Sequence, residues 1–233
     1  MRRRLLIAVA GLVVLCCAPF FISAQEKSVN PGINKPFDNP DLKKFLGVFE
    51  GECREILAKR QEIVKACQLK PGMAVADIGA GTGLFTRMFA IEVGSKGKVY
   101  AADIAPTFLE HIAKTAKEAK LTDITLVKCT QTSAELPAHS VDVAFICDTY
   151  HHFEFPHKTM ASIHQALKPG GEIVVIDFHR IAGKSSDWVM GHVRAGQEKF
   201  EQEIADSGFK KVGEEKFLKE NYLSRFRKTA AEK

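Results

Sequence analysis

From residue 70 onward the chain alternates short, almost unbroken apolar runs with segments whose apolar residues recur every three or four positions. The runs "MAVADI", "KVYAADI", "ITLVKC", "VDVAFICD" and "EIVVIDF" read as strands. Between them "GLFTRMFAIEVG", "APTFLEHIAKTAKEAK" and "KTMASIHQALKPGG" read as helices. The second of these turns Phe108, Leu109, Ile112 and Ala116 inward, and the third Met160, Ile163 and Leu167. Strands this apolar are covered on both faces, so the pattern predicts a parallel sheet between two helical layers. Right-handed crossovers then give a doubly wound α/β domain. The end of the chain differs. "QEKFEQEIADSGF" predicts a helix, and "KKVGEEKFL" with "NYLSRFRK" predicts a hairpin, which brings one antiparallel strand into the sheet.

Upstream, "CREILAKRQEIVKACQL" predicts one helix with Ile56, Leu57, Ile63, Val64 and Cys67 on a single face, and Asp41 is a candidate cap for a short helix, "LKKFLGVFE". Residues 25–40, rich in Pro, Asn and Gly, read as an extended linker, which leaves 41–233 as the globular domain. Residues 1–24 read as a targeting leader: "MRRR" is a positive start, residues 5–24 carry no charge, and Ala24 precedes a polar stretch. The leader is either a cleavable signal peptide or an anchor just long enough to span a bilayer. Both place the domain outside the cytoplasm, exported or attached to the membrane through residues 5–24, whereas a leader that does not function leaves it cytoplasmic. Three of the five net positive charges belong to Arg2, Arg3 and Arg4. Beyond residue 24 the balance is 30 basic to 28 acidic residues, no footprint for nucleic acid. Cys53 and Cys67 sit about 21 Å apart along the predicted helix, and Cys129 and Cys147 end different strands, so no disulfide is expected.

The most informative segment is "VADIGAGTGLF". An apolar strand ends in Asp77, followed by Gly79, Gly81 and Gly83 and then a helix. Such a loop lets a ligand approach the main chain at the carboxyl end of a strand, where open α/β sheets bind their ligands. A dinucleotide fingerprint fails, because its third glycine falls on Leu84, and an acid at Asp77 repels a pyrophosphate. No Walker lysine is present, which excludes a phosphate-cradling loop. The next strand ends in Asp103, twenty residues after Gly83, where a carboxylate can accept from both ribose hydroxyls. A ribose with a cationic, phosphate-free portion describes S-adenosylmethionine.

Taken together, "DIGAGTG", "AADI", "DTYHHF" and "ALKPGGEIVVIDF" resemble successive motifs of the class I S-adenosylmethionine-dependent methyltransferases, over residues 70–178. The resemblance implies a Rossmann-like seven-stranded sheet, order 3-2-1-4-5-7-6, with one antiparallel strand. It implies that Asp77, Gly79, Ala80, Gly81 and Gly83 form the cofactor loop, that Asp103 holds the ribose, and that Ile104 flanks the adenine. Thr130 and Gln131, after the third strand, would lie at the adenine edge; the acidic residue frequent in that region of the family is absent until Glu135. The implied activity is methyl transfer to a small molecule. The alternatives are a binding module without activity and a nucleotide-dependent oxidoreductase, which Leu84 and Asp77 disfavour.

"CDTYHHFEFPHK" then stands at the end of the fourth strand, on the acceptor side. His151 and His152 are candidates to remove a proton from the acceptor or to hold it, with Asp148 and Tyr150 shaping the pocket. No metal is expected, because adjacent residues of a continuing strand point to opposite faces and the spacing matches no zinc motif. His179, Arg180, Trp188, His192 and Arg194, after the fifth strand, are further acceptor-side candidates.

Overall fold

The computed structural model describes residues 27–51 and 54–229. The predicted leader and Cys53 lie outside the described residues. Among those residues no helix is long and apolar enough to cross a membrane.

The helices are α1 (Leu42–Phe49), α2 (Glu55–Ala58), α3 (Arg60–Ala66), α4 (Leu84–Val93), α5 (Pro106–Glu118), α6 (Pro156–Ala166), α7 (Asp187–His192) and α8 (Gln197–Asp206). The strands are β1 (Ala74–Ile78), β2 (Lys98–Asp103), β3 (Ile124–Lys128), β4 (Val141–Cys147), β5 (Leu167–Phe178), β6 (Phe209–Glu215) and β7 (Asn221–Lys228). They form one sheet of order β3-β2-β1-β4-β5-β7-β6. The pairs β1–β2, β1–β4, β2–β3 and β4–β5 are parallel. β7 runs antiparallel to both β5 and β6, so it is the one reversed strand, as the hairpin pattern predicts.

All five residues of β1 are buried, as expected of a strand at the centre of the sheet. Each face carries a core. On one, Phe85 and Phe89 of α4 meet Phe145 of β4 at ring distances of 4.8 and 5.0 Å, with Ile63 and Val64 of α3 alongside. On the other, Met160 and Ile163 of α6 and Phe200 and Ile204 of α8 pack over Ile146, Ile173 and Val175. The two layers hold the sheet rigid and leave its carboxyl-end loops to build a site.

Three expectations are corrected. The single helix predicted around Ile56 to Cys67 is two, α2 and α3, broken at Lys59, whose φ of −100° and ψ of 10° leave the helical region. The helix predicted through "KPGG" stops at Ala166. Pro169 disfavours a helical residue before it, and Gly170 turns left-handed at φ +74°, so β5 begins at Leu167 and bulges against β4. Finally, residues 27–40 are no extended linker but a strap docked on the domain. Glu154 accepts from Ser28 Oγ (2.6 Å) and from the Gly32 N–H (3.3 Å), and Asn34 Nδ2 donates to the His152 carbonyl (3.0 Å).

Candidate active site

The site is assembled from the carboxyl ends of β1, β2, β4 and β5, roofed by the N-terminal strap and α1. Gly79 and Gly83 show why the loop after β1 needs glycine. Gly79 has φ +71°, and a Cβ there would lie 2.3 Å from the Thr149 methyl group. Gly83 starts α4 at φ +80°, and a Cβ would lie 2.6 Å from Ile112. Both positions combine a left-handed backbone with contact that no side chain fits. The loop is pinned to β2 by the Gly79 N–H donating to the Ala102 carbonyl at 2.8 Å.

Asp103, 4% exposed, accepts 2.8 Å hydrogen bonds from the Gly81 and Ala105 N–H groups. Burial raises its pKa to about 6 against these bonds. Asp77, also buried, accepts from Thr86 Oγ1 at 2.6 Å. Burial first, with the nearby Asp103 charge adding to it, raises its pKa to about 7. Two carboxylates so unfavourably placed are matched by a ligand that brings positive charge and hydroxyl donors.

The cavity in front of them is about 350 Å³. Its donor side carries Gly79, Gly81, Asp103 and Ile104. Two smaller recesses adjoin it. One runs past Asp77, Ala80 and Thr82, and the other past Ile104, Thr130 and Gln131. Of the predicted cofactor-side residues all but Gly83 line these adjoining recesses; Gly83 lines none of them and instead starts α4 against Ile112. A ligand with a cationic end, a central ribose and a flat base fits this division, so the chain's residues suit S-adenosylmethionine.

The roof was not legible in the sequence. Phe37, Phe45, Phe49 and Phe108 form a ring cluster with centroids 5.2–6.2 Å apart. Arg54 fastens the roof to the sheet. Its guanidinium pairs with Asp148, donates to the Phe49 carbonyl at 2.8 Å and lies 5.6 Å from the Phe49 ring. Asn221 Nδ2 donates to the other Asp148 oxygen at 2.6 Å. Asp148 thus holds neighbours in place, and burial, outweighing Arg54, raises its pKa above the usual carboxylate range.

Beyond Asp148 the acceptor-side wall differs from expectation. β4 does not continue: Asp148 takes φ +49°, and Tyr150–His152 wind into a 3₁₀ turn. The two histidines therefore do not point to opposite faces; their rings lie 4.3 Å apart. His151 is fixed by Asp177, at the end of β5, which accepts from its Nδ1 at 2.9 Å and from its N–H at 3.1 Å. Burial disfavours a charged His151 ring, but the Asp177 charge and hydrogen bond prevail and raise its pKa. His152 is held neutral: burial first, then the neighbouring His151 and His192, lower its pKa to about 2. His192 of α7 completes the group, its Nε2 3.4 Å from that of His152.

Other candidates lie elsewhere. Tyr150 does not face the cavity; the turn buries it fully against Phe153 and Phe200. Arg194 forms a two-pronged pair with Glu203 (3.0 and 2.6 Å) above the Phe200 ring, so it is neither free nor a substrate contact. Arg180 donates to the Met190 carbonyl and the His179 ring lies tilted 5.8 Å from Tyr222, both off the cavity wall. Trp188 does line the cavity, stacked on His192 at 4.6 Å.

Residues 76–175 match the family model described as a methyltransferase domain. The ubiquinone/menaquinone biosynthesis C-methyltransferase UbiE of Hydrogenovibrio crunogenus is 26% identical over 214 residues, 79% of this chain and 82% of that protein. Among solved structures, a SAM-dependent methyltransferase from Aquifex aeolicus superposes with a TM-score of 0.72 at 22% identity, over 81% of this chain and 99% of that one. The [4+2]-cyclase SpnF shares the fold at a TM-score of 0.66 and 16% identity, over 75% of this chain and 82% of that one.

Asp103→Ala is expected to weaken S-adenosylmethionine binding by about 1–3 kcal/mol, from lost charge-assisted hydrogen bonds; calorimetry on the folded variant checks it, and unchanged affinity removes Asp103 from the site. In the unaltered protein, a cationic ligand favours ionised Asp77 and Asp103, whose pKa values are raised to about 7 and about 6. Affinity for the methyl donor should therefore fall as pH is lowered from about 8 to about 5, and a flat titration would contradict the assignment.

Proposed function

We propose that the chain is a class I S-adenosylmethionine-dependent methyltransferase, a reading that its methyltransferase-domain match and its fold support, and that it methylates a small, largely apolar acceptor that must lose a proton. The observation that carries this reading is the His151–Asp177 pair, whose histidine lines the same cavity as the glycine loop and the aromatic residues. S-adenosylmethionine, when bound, supplies a methyl group on a sulfonium, a leaving group already activated for in-line displacement.

The chain's own residues do the rest. Asp103 and Asp77 bind the ribose and the cationic end. Phe37, Phe45, Val48, Phe178 and Trp188 offer the acceptor flat apolar contact and exclude water. Orientation of this kind supplies much of the acceleration that methyl transfer needs. Asp177 holds the His151 ring through Nδ1, which leaves Nε2 for the acceptor's proton. Loss of that proton is what the histidine wall contributes. The UbiE relative is named for C-methylation in quinone biosynthesis, and a small apolar acceptor agrees with that name.

Turnover of methyl-labelled donor with fractionated small-molecule extract as acceptor tests the function. His151→Gln should lower turnover about 100-fold or more while donor affinity stays within about twofold. Undiminished turnover would remove His151 from the chemistry, and absence of any labelled product would sink the small-molecule reading.

We further propose, from the composition of residues 1–24 alone, that the chain is exported or anchored outside the cytoplasm. Cell fractionation with N-terminal sequencing should find the protein outside the cytoplasm. A cytoplasmic chain with its first residues intact would refute export.

A further inference from the structure

Three imidazoles converge on the acceptor wall, from two elements 40 residues apart in sequence. One ring nitrogen from each of His151, His152 and His192 lies within 4.8 Å of the other two. The separation of the His152 and His192 Nε2 atoms, 3.4 Å, is that of two ligands on a tetrahedral ion: nitrogens at about 2.0–2.1 Å from zinc sit about 3.3 Å apart. With no ion between them, two imidazole nitrogens that close compete for a single proton.

The supporting shell is also that of a metal centre. Asp177 accepts from His151 Nδ1 at 2.9 Å, which fixes the ring and directs Nε2 away from the carboxylate. A carboxylate behind a ligating histidine raises the basicity of the ligating nitrogen and orients it. Asp177 is itself held by the His151 and Phe178 N–H groups, at 3.1 and 2.8 Å. Trp188 stacks on His192, and Phe37 meets the edge of His152 at 5.2 Å, so two of the three rings are also braced by aromatic neighbours. All three histidines face the cavity that holds Asp103 and Gly79. Three protein ligands leave a fourth position open on that side, the pattern of catalytic rather than structural zinc sites.

We propose that His151, His152 and His192 bind a divalent first-row transition ion, zinc or a metal of similar preference, whose open position takes a hydroxyl oxygen of the acceptor. The proposal rests on the methyl-transfer reading for the acceptor but not for the ion. Coordination would then account for the acceptor's lost proton, which leaves to solvent as the oxygen binds, in place of a free His151 ring taking it up. Acceptors with a phenolic or enolic hydroxyl are the class such a site selects.

The test uses the full chain without any polyhistidine tag, stripped by chelator dialysis and titrated with zinc or cobalt in the absence of donor and acceptor. Trp188 is the protein's single tryptophan and stacks on one ligand, so its fluorescence reports the site directly. One equivalent should bind with Kd below about 1 µM, with cobalt quenching Trp188. Asp177→Asn should weaken binding about 10- to 100-fold, and His192→Ala at least as much. His192 is half-buried on a short helix, so its replacement serves if a change at buried His151 prevents folding; circular dichroism confirms the fold. No binding at micromolar metal, or equal binding by His192→Ala and the unaltered chain, overturns the proposal. A negative metal titration leaves donor binding and turnover to be judged on their own, and failed turnover leaves a positive titration standing.

Discussion

Four carboxylates, Asp77, Asp103, Asp148 and Asp177, stand at the carboxyl ends of four neighbouring parallel strands and are nearly or fully shielded from solvent. Placing that much negative charge in one low-dielectric edge is costly unless each group finds donors or a counter-charge. The architecture of the site follows from how each does so. Asp103 takes backbone N–H groups from the glycine loop and from the start of α5; Asp148 takes Arg54 and Asn221; Asp177 takes His151; and Asp77 takes one hydroxyl. Asp77 and Asp103 have no cationic side chain bonded to them, and burial raises their pKa to about 7 and about 6. The end of the row without a bonded cation is thus the end with room for a cationic ligand.

The pair Arg54–Asp148 extends this logic to the roof. Arg54 precedes α2 and reaches across to β4, and its second contact, the Phe49 carbonyl, ends α1. Satisfying one buried acid therefore positions the aromatic residues that close the cavity. A loss of Arg54 would leave Asp148 uncompensated and free the roof at once. Strap and roof are thus part of the domain electrostatically as well as sterically.

Much of this could be read from the chain, and the parts that could not share a cause. The strands, the glycine loop and the acid ending β2 are legible because each is encoded within a few residues: an apolar run, a loop of alternating glycines, an acid at a strand end; the order of the sheet is what the family resemblance implies. Arg54 carries no local signal, because its partner lies 94 residues away. The histidines were misread through one backbone angle. Continuing β4 would send His151 and His152 to opposite faces; Asp148 at φ +49° ends the strand and curls them together. His192 joins them only through folding of the segment after β5. Arg194 carries no signal of its pairing either, because its partner Glu203 lies on the next helix, α8. Short-range chemistry was visible, then, and long-range pairing was not.

The resemblance in fold to a [4+2]-cyclase shows why the scaffold alone does not name the reaction. The same sheet architecture is found in a protein named for a different reaction. What separates one reaction from another is the acceptor-side wall. Here that wall joins apolar rings to three imidazoles, one of them, His151, backed by the Asp177 carboxylate. Dehydration strengthens every charge interaction within the cavity, so a nucleophile that has shed its proton is at its most reactive toward a sulfonium and least diverted by solvent. Such a wall has no use in a module that only binds the donor, since binding requires nothing on the acceptor side. The burial of Asp177, the bending of the chain at Asp148 and the convergence of His192 all shape the same wall of the cavity, and that convergence is the strongest argument that the domain catalyses rather than merely holds.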